Sequence, residues 1–388
     1  MATNSTATSP TPSSGPAFVV IGNPGCPRVG YFQAALARCG LAPAVLVAYA
    51  DLIAGRATLE QAVRSGAVVR LESPGRDWAV ETALLALGAD EPDAPGPTRI
   101  GRDAAAALAF DKGRIWYPRQ WYLGFRALLR RLADQLSRCP PHRLTNPPAD
   151  VQILFDKVAC QERFARTGVP VPAGLGPVGS FAELRERMRA AGRSAVFVKL
   201  AHGSSASGVV AFRSDEAVTT VEMVREGGEL RLYNSRKIRR YRDPAEVAAL
   251  IDALAREGVQ VEEWLPKAAL AGVGFDLRVV VIGGKARHVV VRTSRSPMTN
   301  LHLRNERGDL SAVLARMPPG AWPAALATCE RAAAEFPGSL HVGVDLLVGP
   351  DFSRHAVLEA NAFGDLLPGV VCDGIDTYEA EVRSVLEP

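Results

Sequence analysis

The segment "HVGVDLLVGPDFSRHAVLEAN", His341 to Asn361, sets two apolar runs around the turn "GPDFSR". It reads as a β-hairpin. Asp345 lies on the first strand. Glu359 and Asn361 lie on the second, two residues apart and therefore on one face. Three oxygen donors inside otherwise apolar strands are hard to explain by packing, because carboxylates without partners are costly to bury. Two solutions are open. One is a hard cation, Mg²⁺ or Mn²⁺, held by oxygen ligands and shared with phosphates. The other is buried pairing with arginines.

Working outward, "GFDLRVVVIGGKARHVVVRTSRSPMTNLHL" reads as strand, Gly-Gly turn, strand and polar loop. Asp276 and Arg278 share a face, Arg292 falls near the end of the returning strand, and Asn300 and His302 follow. Two strand arginines beside a metal site suit a carboxylate substrate and the charge that develops as it reacts.

The stretch "AVFVKLAHGSSASGVVAF", Ala195 to Phe212, places Lys199 inside an apolar strand. A glycine–serine loop follows, with Ser204, Ser205, Ser207 and Gly208. Small residues let backbone N–H groups approach phosphate oxygens, and the lysine adds a point charge. A lysine that only snorkels to water is the simpler alternative. No G-K-[ST] follows the glycines, so this is not a Walker loop. In "VQVEEWLPK" a strand ends in an extended linker, where backbone groups could pair with a base edge and Glu263 could take ribose hydroxyls.

Of 388 residues, 47% are hydrophobic and 22% charged, which fits two or three globular domains. A net charge of +4 demands neither a nucleic-acid nor a membrane partner. The six cysteines are scattered without a C-x-x-C pair, arguing against structural zinc and a disulfide framework and for reduced thiols in the cytoplasm. Residues 1–16 read as a disordered tail without a secretory pattern, and no apolar run reaches transmembrane length. "AFVVIGNPGCPRVGYFQAALARCG" followed by "APAVLVAYADLIAG" reads as a βα unit of an open α/β sheet. Its glycines are misspaced for G-x-G-x-x-G. "PPHRLTNPPAD" reads as a proline-rich linker. The aromatic and basic run from Arg114 to Arg126 reads first as a solvated helix packed on its aromatics, and second as the wall of a substrate cleft. "ELRLYNSRKIRRYR" reads as a basic hairpin, a charged edge that discourages aggregation.

Taken in order, these segments resemble the ATP-grasp superfamily of carboxylate–amine ligases from about Val151 to the C-terminus, with a looser likeness to its α/β pre-grasp domain before that. The local likeness is strongest to the ribosomal-protein glutamate ligases, through Asp276, Arg278, Arg292 and "NLH" at Asn300 to His302. The resemblance implies an α/β and α+β architecture: a pre-grasp domain at 17–150, an N-subdomain with lid at 151–265 and a C-subdomain with the metal site at 266–388. It implies that Lys157, opening a helix in "FDKVACQERFARTGVPVP", and Lys199 hold ATP phosphates beneath the 202–208 lid. Glu262, Glu263 and Leu265 would form the adenine hinge, and Asp345, Glu359 and Asn361 would ligate Mg²⁺. It implies ADP-forming amide synthesis through an acyl-phosphate, with Arg278 and Arg292 catalytic, on small-molecule or peptide carboxylates and amines, in a possible homodimer. The chain departs from the family at "NAFGDLLPG", where N-x-[ST]-P-G is common, and it lacks a clear ribose carboxylate. A phosphotransferase and a non-catalytic ATP-binding protein are the alternatives.

Overall fold

A computed structural model describes residues 15–93, 98–203, 206–303, 305–363 and 367–387, without the His302 side chain. The expected disordered tail lies almost wholly outside the described residues. Strands are β1 Phe18–Gly22, β2 Val45–Ala48, β3 Val68–Leu71, β4 Arg143–Leu144, β5 Ala195–Leu200, β6 Val210–Arg213, β7 Glu216–Glu226, β8 Glu229–Tyr241, β9 Val259–Glu263, β10 Ala269–Leu270, β11 Val273–Ile282, β12 Lys285–Ser294, β13 Glu306–Gly308, β14 His341–Val348 and β15 His355–Asn361. The helices are α1 Pro27–Arg38, α2 Tyr49–Ile53, α3 Leu59–Ala62, α4 Trp78–Gly88, α5 Arg102–Ala106, α6 Pro118–Arg138, α7 Pro148–Leu154, α8 Lys157–Arg166, α9 Phe181–Ala190, α10 Pro244–Ala255, α11 Leu310–Leu314, α12 Ala321–Ala334 and α13 Thr377–Leu386.

The first sheet is parallel, in the order β2-β1-β3-β4. Its inner strands β1 and β3 are buried on both faces, as parallel strands under helices are, while the edge strands β2 and β4 are partly exposed. Phe18 and Val20 pack toward α1 and α13, while Val19 and Ile21 pack toward α4 and α6. Helices α4 and α6 meet through two glycines: a Cβ on Gly88 would lie 2.0 Å from the Gln120 carbonyl oxygen, and one on Gly124 would lie 1.8 Å from that of Leu84.

The proline-rich "linker" is corrected by the structure. Arg143 and Leu144 form β4, the Thr145 N–H donates to Val69 O, and Asn146 is buried with its Nδ2 donating to His341 O at 2.9 Å. Prolines end the strand and open α7 rather than free the chain.

The second sheet is antiparallel, β8-β7-β6-β5-β9. Val196, Val198, Leu200, Val259 and Val261 pack on α9 and α10. The alternating residues Phe197, Lys199 and Glu262 therefore turn to the other face, which lines a cavity. The expected basic hairpin is instead one arm of the longer β7–β8 hairpin, with Arg231, Arg239 and Arg240 paired with Glu226, Glu222 and Glu216. The outer edge of β8 is covered: the Ile115 N–H donates to Leu232 O and the Asn234 N–H to Gly113 O.

The third sheet runs β13-β12-β11-β14-β15, with β10 beside β11. Phe275, Leu277, Val279 and Val281 pack with α12 in the largest core, and Val280 and Ile282 join the α1–α13 core. Asp276 and Arg278 are left facing the cavity.

Candidate active site

A cavity of about 990 Å³ opens where the three sheets meet. Lys199 enters from β5 and pairs with Glu262 of β9. Burial pushes the Glu262 carboxyl up, and Lys199 opposes the shift. Lys157, the first residue of α8, places its Nζ 2.8 Å from Glu359 Oε1 and donates to Gly203 O at 2.6 Å. One lysine thus ties the α8 terminus to β15 and to the root of the glycine–serine loop.

That root is held again by a residue the sequence reading passed over. The His202 ring stacks on Tyr122 of α6 at 3.8 Å between centroids, and its Nε2 lies 3.3 Å from Asp156 Oδ2. Asp156 caps α8, accepting from the Val158 and Ala159 N–H groups. Burial alone would raise its carboxyl, but His202 and the two N–H donors outweigh burial and hold it below its ordinary value. Ser204 and Ser205 lie outside the described residues. Ser207 lines the cavity, while Gly208 adopts φ +65° against Leu200, where a Cβ would approach Leu200 Cδ1 to 2.3 Å.

Glu262, Glu263 and Leu265, expected to form the adenine hinge, all line the cavity. Glu263 is tied to Arg193 at 2.6 Å. The Glu263 and Trp264 N–H groups donate to Ala173 O and Ala195 O, so those two donors are not free for a ligand.

The floor is a buried ionic layer. Antiparallel register sets Asp276 opposite Arg292, Arg278 opposite Asp345, and Asp345 opposite Glu359. Arg278 grips both Asp345 oxygens, with Nη2 at 3.1 Å from Oδ2. Arg292 spans two carboxylates, with Nε 2.8 Å from Asp276 Oδ1 and Nη2 3.0 Å from Asp345 Oδ2. Lys267 donates to Asp276 at 3.2 Å, to Thr299 Oγ1 at 3.1 Å and to Pro297 O at 3.3 Å. Burial pulls the Lys267 ammonium down against Asp276. Burial would raise Asp276 and Asp345, but the guanidinium groups hold both carboxyls below the usual range. Lys267 closes the quoted "VQVEEWLPK", where a lysine after a proline carried no visible partner.

Of the two readings open for Asp345, the structure shows the arginine pairing. Glu359 pairs with Lys157, and Asn361 Nδ2 donates to Gly343 O at 3.3 Å, which leaves its Oδ1 available. All three line the same cavity as Lys199. Among the described residues no three His, Cys, Asp or Glu side chains cluster as a metal site. The expected set is two carboxylates and an amide. Asn300 lines the cavity, and its carbonyl accepts from the Leu303 N–H and Asn305 Nδ2. The His302 side chain lies outside the described residues. The aromatic run divides: Arg114, Trp116 and Trp121 line the cavity, whereas Arg119 pairs with Asp93.

No family model matches the chain, and no curated protein matches it by sequence. Solved structures do. D-cycloserine synthetase DcsG superposes with a TM-score of 0.55 at 14% identity, over 95% of this chain and 100% of that one. The ATP-grasp ligase PsnB complexed with minimal precursor gives 0.54 at 16% identity, over 96% and 99%. This chain has the ATP-grasp fold. An N5-carboxyaminoimidazole synthase from Aspergillus clavatus, in complex with ADP and its ribonucleotide, adds a TM-score of 0.54 at 12% identity over 96% of this chain and 77% of that one. The ATP-grasp likeness spans the first, parallel sheet as well as the two antiparallel ones. Among the described residues no helix is long and apolar enough to cross a membrane.

Proposed function

We propose that the protein is an ADP-forming carboxylate–amine ligase working in the cytoplasm through an acyl-phosphate. The observation that carries this is one cavity with two kinds of cation. Lys157 and Lys199 stand as point charges beside the glycine–serine loop, and the Arg278–Arg292 pair stands on the floor. Each of five basic side chains (Lys157, Lys199, Lys267, Arg278, Arg292) is paired with one of four carboxylates (Glu262, Asp276, Asp345, Glu359), so an anionic substrate can compete for cations already placed in the cavity. PsnB has also been solved with Mg and ADP, at a TM-score of 0.50 and 16% identity.

For Mg²⁺ or Mn²⁺ the donor set fits in part. Glu359, with 27% of its side chain exposed and only Oε1 engaged by Lys157, and Asn361, through Oδ1, are hard oxygen donors. Asp345 would join them only through lone pairs that the two guanidinium groups leave. This sharing suits Mg²⁺, which commonly takes one or two carboxylates and completes its shell with phosphates and water. When bound, the ion supplies charge neutralisation across the transferred phosphate.

The chain's own residues do the rest. Lys157 and Lys199 exchange carboxylate partners for phosphate oxygens. Arg278 and Arg292, pre-oriented by Asp345 and Asp276, orient the substrate carboxylate and stabilise its oxyanion. The 202–208 loop excludes water, which would hydrolyse an acyl-phosphate. A pooled carboxylate and amine screen that reads ADP and new masses tests the proposal: amide products support it, and a stable phosphate ester overturns it. Glu359→Ala with Asn361→Ala is expected to abolish ADP formation with the fold intact by circular dichroism. Full turnover in that double variant would refute the metal assignment.

A further inference from the structure

Part of the cavity belongs to neither the nucleotide end nor the ionic floor. It lies at the carboxyl ends of β1 and β3, where chain connections diverge to opposite sides of the β2-β1-β3-β4 sheet. Open α/β sheets bind ligands at such a switch point. Resting on the ligase reading, we propose that this crevice is the amine-substrate subsite, that it takes a primary amine carried on an aromatic body, and that Glu81 holds its ammonium group and accepts its proton.

The crevice is built, not incidental. Asn23 is buried in the β1–α1 turn, and its Nδ2 donates to Pro74 O at 2.7 Å and Gly75 O at 3.3 Å. Arg76 takes φ +72°, and Asp77 caps α4 through the Ala79 and Val80 N–H groups. This fixes the turn 73–77 over Glu81. A Cβ on Gly75 would lie 3.5 Å from Glu81 Oε1 and 3.6 Å from Ser73 Oγ, so the three residues form a polar cradle. Ser73, Gly75, Arg76, Asp77, Trp78 and Glu81 all line the cavity.

Glu81 lacks the partner its neighbours have. Among the described residues no lysine, arginine or histidine pairs with it, and Asp77 adds negative charge nearby. Burial pushes its carboxyl up to about 7. An ammonium ion supplies the missing countercharge, and a base with such a value is matched to neutral pH. Arg28, Arg76, Asp77, Asp111 and Arg114 are the other charged residues of the cavity on this side, and Arg114 lies 3.7 Å from Asp111.

The aromatic wall completes the subsite. Trp78 lies 5.5 Å from Phe110 and 6.3 Å from Trp116, between ring centroids. The Arg114 guanidinium stacks 3.8 Å over Trp116. Phe110 is 66% exposed at this wall, a large apolar surface with a reason to be there. The buried Trp116 indole N–H has no hydrogen-bond partner among the described residues, a spare donor for a substrate oxygen.

In the reaction the ammonium N–H bond breaks and its proton passes to Glu81. The freed nitrogen lone pair forms the N–C bond at the acyl carbon. The C–O bond to phosphate then breaks, and phosphate departs with the second N–H proton.

Phenethylamine is the probe, followed by quenching of intrinsic tryptophan fluorescence, with 3-phenylpropionate as its acidic counterpart. Wild-type protein is expected to bind phenethylamine saturably and more tightly than 3-phenylpropionate. Glu81→Gln is expected to weaken phenethylamine binding about ten-fold or more with ADP binding unchanged. Should Glu81→Gln not fold, wild-type affinity for phenethylamine should still fall as pH drops below about 7, where Glu81 takes a proton. Equal binding by wild type and Glu81→Gln, a preference for 3-phenylpropionate, a flat pH profile or no phenethylamine binding each overturns the proposal. None of these readouts needs turnover, so failure of the ligase reading appears separately, as absent ADP release.

Discussion

Arg292 touches Asp276 and Asp345 at once, a geometry that only a planar, forked cation supplies. Arg292→Lys should therefore behave as a disruption. Losing the bridge leaves part of two buried carboxylates unpaired, at a cost of about 3 kcal/mol in a urea unfolding curve. The pH dependence follows from the same pairing. Folded Asp276 and Asp345 have lowered pKa values, so their contribution to stability is present above the ordinary carboxylate pKa of about 4 and is lost as pH falls through the lowered values. Wild-type urea midpoints should drop steeply below pH 4, and those of Asp276→Asn should drop less. The charges in apolar strands (Lys199, Asp276, Arg278, Asp345, Glu359) were legible because a strand cannot hide such groups without partners. Lys267, His202 and Glu81 were not. Each stands on a loop end or helix whose local pattern is ordinary, and each acquires meaning from a neighbour tens of residues away.

Among the elements, the β11–β12 and β14–β15 hairpins were readable from alternation and their Gly-Gly and Gly-Pro turns. Strand β4 was hidden by its prolines and its two-residue length, since its pairing with β3 is parallel and therefore non-local. The long β8 arm was misread as a hairpin because its charges conceal an edge that residues 113–115 cover. The α4–α6 contact was silent in sequence: Gly88 and Gly124 look like weak points in two helices until their partner backbone is seen. Gly124→Ala should force the helices apart at the cost of about 3 kcal/mol of overpacking, read as a lower melting temperature. Tyr122→Ala, which removes the ring beneath His202, should weaken nucleotide affinity more than it lowers thermal stability, because the loop root it seats also holds Lys157. Equal nucleotide titration curves for the variant and wild type would refute that coupling.

Across the whole molecule, the first sheet is not an appendage. Arg70 of β3 is buried between Glu72 and Glu381 of α13, with its guanidinium 4.7 Å over the Phe32 ring. Burial, with Arg70 close by, pushes the neighbouring His341 down to about 3, so the imidazole is neutral. This cluster joins the β1–β4 sheet to the sheet that carries Asp345 and Glu359. Arg70→Ala should cost about 3–5 kcal/mol by leaving two buried carboxylates without their cation, and it should lower activity through the shared core. The central claim is narrower than the fold, because the same cavity could transfer phosphate to a hydroxyl. Hydroxylamine separates the outcomes: with ATP, Mg²⁺ and a carboxylate pool, the protein should release ADP and form a hydroxamate, the trapped product of an acyl-phosphate. ADP release with a stable phosphate ester and no hydroxamate would contradict the account, as would no ADP release at all.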